Sequence, residues 1–103
     1  VIGSPGGGKI ITSVLQSIIN IIDFGMPLNE AIDAPRIHHQ WLPDYIQAER
    51  NSLSGGVIDE LKTIGYEIKT VNNFGRVEGI IFDTYGAMTG HSDRRGSGKA
   101  VSF

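Results

Sequence analysis

Gly3-Ser4-Pro5-Gly6-Gly7-Gly8-Lys9 opens without a break onto Ile10-Ile11-Thr12-Ser13-Val14-Leu15-Gln16-Ser17-Ile18-Ile19-Asn20-Ile21-Ile22. In the second stretch Ile10, Ile11, Val14, Leu15, Ile18, Ile19 and Ile22 recur at helical spacing and form one wide apolar face. Lys9, Thr12, Ser13, Gln16, Ser17 and Asn20 fall on the other side. The pattern predicts a helix whose apolar face is core, stopped by Gly25 as a left-handed C-terminal residue with Pro27 just beyond. Ahead of that helix, consecutive glycines let the backbone take positive φ and approach a ligand with no Cβ in the way. N–H groups at a helix start lack intrahelical acceptors and lie at the positive end of the helix dipole. Elementary physics therefore predicts an anion or oxyanion site here. It does not choose the anion.

Outward from this stretch, Leu28 to Ala34 reads as a short second helix ended by Pro35, which disfavours helical geometry at Ala34. Arg36 to Asp44 is rich in His and aromatic residues and reads as an irregular or extended crossing. Tyr45 to Glu49 reads as a short strand. A third helix is expected from Ser54 to Ile64, N-capped by Ser54, with Val57, Ile58, Leu61 and Ile64 inward and Gly65 closing it. Three strands then follow as a meander: Tyr66 to Val71, Val77 to Phe82 and Ala87 to His91. The last two flank Asp83-Thr84-Tyr85-Gly86, a hairpin-type connection. This order is that of an α+β protein, and no internal repeat interrupts it.

Composition narrows the class further. The 103 residues have the size of one small domain, 40% of them hydrophobic and 19% charged, which excludes a disordered tail. With 9 Lys and Arg against 11 Asp and Glu, and no basic run, nothing favours nucleic acid or an anionic membrane as a partner. Ile10 to Phe24 is too short and too polar to span a bilayer. The absence of Cys removes disulfides, thiolate zinc sites and a Cys nucleophile. No cofactor is expected. The missing initiator Met, and a start at Val1-Ile2 that runs straight into the Gly-rich turn, suggest a fragment.

Three chemistries compete for the loop. Gly3-x-x-x-x-Gly8-Lys9 matches a phosphate-binding P-loop up to its last position, and Ile80-Ile81-Phe82-Asp83 resembles the apolar run plus Asp of such sites. Ile10 stands where a Mg²⁺-binding Ser or Thr belongs, Pro5 sits inside the loop, and strands and helices do not alternate as in a parallel sheet. A plain strand-to-helix turn is the second reading. The third is an oxyanion hole, in which adjacent backbone N–H groups stabilise the tetrahedral intermediate of acyl transfer. Gly3-Ser4-Pro5-Gly6-Gly7, Asn29-Glu30-Ala31 and Ala34-Pro35-Arg36-Ile37-His38-His39-Gln40-Trp41-Leu42-Pro43-Asp44, in that order, closely resemble the γ-glutamyltranspeptidases. Gly90-His91-Ser92-Asp93-Arg94-Arg95-Gly96 is similar to the family's Gly-Ala-Ser-Asp-Pro-Arg-Gly segment, with Arg94 in place of Pro. The resemblance covers essentially the whole chain and favours the oxyanion reading.

That resemblance implies a fragment of the N-terminal nucleophile hydrolase fold, an αββα layering with helices on a mainly antiparallel sheet. Residues 1–103 would be one domain, the C-terminal part of the small, catalytic subunit. Such enzymes are made as zymogens, and self-cleavage exposes a Thr that attacks the γ-glutamyl carbonyl of glutathione or a related amide. Water or an amino acid or peptide then takes the acyl group. By resemblance the N–H groups of Gly6 and Gly7 hold the oxyanion, and Ser4, Pro5, Gly6 and Gly7 form the substrate-binding loop. The nucleophile lies upstream, so the isolated chain is expected to be inactive and to self-associate through exposed edges. Its partners would be the large subunit and the N-terminal remainder of the small one, in a periplasmic or extracellular setting. Acylases acting on poly-γ-glutamate or cephalosporins remain alternatives, as does a non-catalytic interaction domain of the same fold.

Other residues invite bolder readings that spacing does not support. His38 and His39 are neighbours in an extended segment and point to opposite faces, so they do not easily share a metal ion, even with Asp44 and His91 as further ligands. His91, Ser92 and Asp93 carry the residue types of a catalytic triad but are adjacent, whereas a triad converges from separate places. Asp93 with Arg94 or Arg95 reads as a turn or ion pair.

Overall fold

The computed structural model describes residues 1–102, which fold as two compact units. The first comprises Val1–Ala34 and the chain from Gly75 onward; the second is Pro35–Phe74.

In the first unit, β1 (Ile2–Gly3) leads through the Gly-rich loop into α1 (Lys9–Ile22) and α2 (Leu28–Asp33). Strands β5 (Glu78–Phe82) and β6 (Met88–Ser92) complete an antiparallel sheet in the order β1-β5-β6, with Ile2 opposite Gly79 and Gly79 opposite His91. Gly25 is left-handed at φ 64°, and Met26 N–H donates to Asn20 O at 2.9 Å, closing α1 as its sequence requires. Asp83 Oδ1 accepts the N–H groups of Tyr85 and Ala87 at 2.8 and 2.9 Å and shapes the β5–β6 turn. Leu28, Ile32 and Val77 are the buried core, with Ile2, Ile21 and Ile81 packed against it. A Cβ at Gly79 would come within 2.9 Å of Ile32 Cδ1 and 3.1 Å of Leu28 Cδ1. Glycine at this one position of β5 is what lets α2 lie directly on the sheet.

Helix α1 departs from expectation. Its fully buried residues are Ser13 and Ser17, whereas Ile11 and Ile22 are each 73% exposed and Leu15 49%. The small serines permit close approach, Ser17 Oγ answers its own burial by donating to Ser13 O at 3.0 Å, and Asn20 Nδ2 reaches Ala31 O on α2 at 3.2 Å. The serine side of α1 is therefore its most buried side, and the apolar face is only partly covered by the described residues: Val14, Ile18 and Ile19 are half-buried while Ile11, Leu15 and Ile22 are exposed.

The turn after β6 holds the other end of α2. Asp93, buried, accepts Val77 N–H at 2.8 Å through Oδ2, and through Oδ1 the backbone N–H and Nη1 of Arg95 at 2.9 and 3.0 Å. The Arg95 guanidinium in turn donates to Ile32 O at 3.3 Å and Ala34 O at 2.9 Å. A cation on the last carbonyls of a helix satisfies orphan acceptors and complements the dipole. Arg94, which stands in place of the Pro in the segment that it resembles, uses its N–H to reach Asp33 Oδ1 at 3.1 Å, a bond that Pro could not make.

The second unit is built on the sheet β2-β3-β4: β2 (Ile37–His38), β3 (Ile46–Glu49) and β4 (Ile68–Val71). The expected meander of three strands is corrected here. β4 joins β3 in parallel, Ile46 opposite Ile68, because α3 (Gly55–Thr63) carries the chain back across before it pairs. Ser54 caps α3 through Val57 N–H at 3.3 Å. Ile58 and Leu61 are half-buried, but Val57 is exposed and Ile64 is 72% exposed, so α3 buries a narrower apolar stripe than expected. Buried Glu49 secures both ends of the unit, accepting Arg36 N–H and Phe74 N–H at 3.0 Å each.

Two outcomes follow from this packing. Glu49→Ala leaves two buried N–H groups without their carboxylate, so we expect a loss on the order of 3–5 kcal/mol, read as a lower urea midpoint by circular dichroism. The isolated chain should self-associate at micromolar concentration in sedimentation velocity. Ile11→Lys with Ile22→Lys should shift it toward monomer, and an unshifted distribution would place the contact elsewhere.

Candidate oxyanion site

The loop between β1 and α1 takes the conformation its glycines allow. Gly6 has φ 130° and Gly7 φ 59°, both outside the range that L side chains prefer. Gly8 is already right-handed and forms the N-cap of α1. Lys9 N–H donates to Gly6 O at 3.2 Å and Ile10 N–H to Gly7 O at 3.1 Å, so the loop carbonyls are turned into the first helical turn. Among the described residues nothing accepts the N–H groups of Gly6 and Gly7, and both glycines are exposed. No side chain caps α1, and no acidic residue stands in its first turn. The positive end of the helix is thus left unneutralised by its own sequence, with free donors beside it. Such an end can accept a developing negative charge without rearranging.

Ser4 and Pro5 precede these donors in the loop. Ser4 Oγ donates to Pro5 O at 2.8 Å and accepts Arg76 N–H at 3.3 Å. Arg76 was not a site candidate in the sequence, and no local signal marks it, because its contact with Ser4 joins positions 72 residues apart. Its guanidinium lies 3.9 Å from Glu78 Oε1, and both side chains are about half exposed.

The remaining candidates disperse. His38 Nε2 meets Gln40 Oε1 at 2.9 Å, while His39 Nε2 meets Asp44 Oδ1 at 3.0 Å, so the two histidines have separate partners. His91 Nε2 lies 3.1 Å from Asp33 Oδ2, Asp93 is engaged by Arg95 and Val77, and Ser92 Oγ bonds to neither. Asp83, the acid of the P-loop reading, is committed to the β5–β6 turn.

With this geometry in view, comparison with known proteins is direct. Residues 1–103 match the model of the gamma-glutamyltranspeptidase family, and the chain belongs to that family. It is 41% identical over 95 residues to the glutathione hydrolase proenzyme of Escherichia coli, covering 92% of this chain and 16% of that protein. The glutathione hydrolase proenzyme of Pseudomonas aeruginosa is 43% identical over 101 residues, covering 95% of this chain and 18% of that protein. Among solved structures, the gamma-glutamyltranspeptidase from Pseudomonas nitroreducens complexed with L-DON superposes with a TM-score of 0.87 at 40% identity, covering all of this chain and 54% of that one. The chain therefore spans less than a fifth of the length of these curated relatives, and the α+β architecture is a fragment of the N-terminal nucleophile hydrolase fold.

The two glycines should respond differently to substitution. No atom lies within 4 Å of a Cβ built on either, so any cost is conformational. At φ 59° Gly7→Asn is expected to cost less than about 1 kcal/mol, whereas Gly6→Ala at φ 130° should cost about 1–3 kcal/mol in thermal unfolding. Equal losses at the two positions would contradict the assigned loop conformation.

Proposed function

We propose that this chain is the C-terminal domain of the small subunit of an enzyme that transfers or hydrolyses γ-glutamyl groups, and that Gly6 and Gly7 form its oxyanion hole. The observation that carries this reading is the pair of exposed, unpaired N–H groups on consecutive positive-φ glycines at the uncapped start of α1. The partner chemistry comes from the rest of the parent protein, the large subunit and the remainder of the small one. There an N-terminal Thr hydroxyl attacks the γ-glutamyl carbonyl of glutathione or a related amide, its proton passing to the Thr α-amino group. The carbonyl π electrons move onto oxygen, and the N–H groups of Gly6 and Gly7 donate to that oxyanion. On collapse the C–N bond breaks, the α-amino group returns the proton to the leaving amine, and an acyl ester remains. Water or an acceptor amine then takes the acyl group. Donors already fixed in place cost no reorganisation as the charge develops, which is why one of them is worth on the order of 10²–10³ in kcat. Ser4 and Pro5 shape the approach. The family likeness supports a periplasmic or extracellular setting for the parent.

The test is release of p-nitroaniline from γ-glutamyl-p-nitroanilide by the full-length parent, with and without glycylglycine. Release accelerated by the acceptor is expected, with a bulky residue at either glycine (Gly6→Val or Gly7→Val) lowering kcat on the order of a hundredfold or more by misplacing the donors. No release from a parent that has split into two subunits would assign a different acyl group. No release and no splitting would replace the proposal with a non-catalytic role.

A further inference from the structure

We infer that Ser4 is a positioning residue for the oxyanion loop: its hydroxyl, anchored on the backbone of Arg76, sets the direction of the Gly6 N–H. The inference rests on the function proposed above. A peptide unit is planar and trans, so the Pro5 carbonyl and the Gly6 N–H belong to one rigid plane and point opposite ways. Gly6 has no side chain to restrain that plane, and its φ of 130° lies where only glycine is at ease. The restraint comes from Ser4 Oγ, which donates its one hydrogen to Pro5 O at 2.8 Å. The same oxygen accepts Arg76 N–H at 3.3 Å. With its hydrogen committed to Pro5, the Ser4 hydroxyl has no donor left for a ligand, and its action on the reaction passes through Gly6.

The anchor is itself held firmly. Arg76 precedes Val77, whose N–H is bound by buried Asp93 at 2.8 Å. Asp93 O accepts Gly96 N–H at 3.0 Å, and a Cβ at Gly96 would overlap Cδ and crowd Cγ of Arg76. The bare backbone of Gly96 is therefore the seat of the Arg76 stem. A continuous path runs from Asp93 through Val77 and Gly96 to Arg76, and from Arg76 through Ser4 to the Pro5–Gly6 peptide.

The experiment compares Ser4→Ala, Ser4→Thr and Gly96→Ala in the full-length parent, by γ-glutamyl-p-nitroanilide turnover and by amide hydrogen exchange. Ser4→Ala is expected to lower kcat about tenfold, less than outright loss of an oxyanion donor, with KM within about twofold. Ser4→Thr keeps the hydroxyl and should return kcat to within about threefold of the parent. In Ser4→Ala the amides of Lys9 and Ile10, bonded to Gly6 O and Gly7 O, should exchange faster while the interior of α1 is unchanged. Gly96→Ala should give the same exchange signature. Unchanged kcat in Ser4→Ala, or a rise in KM that Ser4→Thr does not reverse, overturns the inference. If the unmodified parent releases no p-nitroaniline, the proposed function fails, and the exchange data alone decide whether Ser4 holds the loop. Parent-like exchange in both Ser4→Ala and Gly96→Ala would then refute it.

Discussion

The carboxylate of Asp93 lies at the centre of the first unit. Three N–H donors converge on it, from Val77 just before β5, from the backbone of Arg95 and from the Arg95 guanidinium. A buried charge is tolerated only when it is fully bonded, and here the bonding also distributes order. Through Arg95 it fixes the C-terminal carbonyls of α2; through Val77 it fixes the entry to β5. Helix α2 then lies on Gly79, and the core of Leu28, Ile32 and Val77 closes between them. Arg76, one residue before Val77, meets Ser4 and so the loop.

Glu49 does the same for the second unit by a different route. Its two oxygens take the N–H groups of Arg36 and Phe74, which lie next to the unit's first residue and at its last. Each unit thus uses one buried carboxylate to bind backbone from distant parts of its own chain segment. Neither acid is drawn into the candidate site, and the site is correspondingly made of main chain. A site of backbone donors demands conformational precision more than particular side chains. The candidate loop has that character: its glycines stand at φ 130° and 59°, and the Ser4 hydroxyl, two residues before Gly6, bonds the Pro5 carbonyl.

The partly covered apolar face of α1 bears on how the domain is built. An amphipathic helix normally turns its apolar side to the core, but here Ser13 and Ser17 are inside while Ile11 and Ile22 remain exposed. Periodicity located the helix and its C-terminal stop correctly because both are local properties. It could not say which side would meet α2 and β1, because that depends on which neighbours are present. The same limit explains α3, whose cap at Ser54 was readable while the exposure of Val57 and Ile64 was not.

Local chemistry in the sequence determined the helix starts and stops, the β5–β6 turn at Asp83, the Gly-rich loop at a helix N-terminus, and the segments that mark the family. Each rests on residues within a few positions of one another, where glycine, proline and capping side chains act directly on the backbone. Only the tertiary structure decided that β4 runs parallel beside β3, that Asp93 and Glu49 are bonding centres, and that Arg76 meets Ser4 across 72 positions. These are choices between partners far apart in the chain. Loop closure and competing burial settle them, and no local pattern records the outcome.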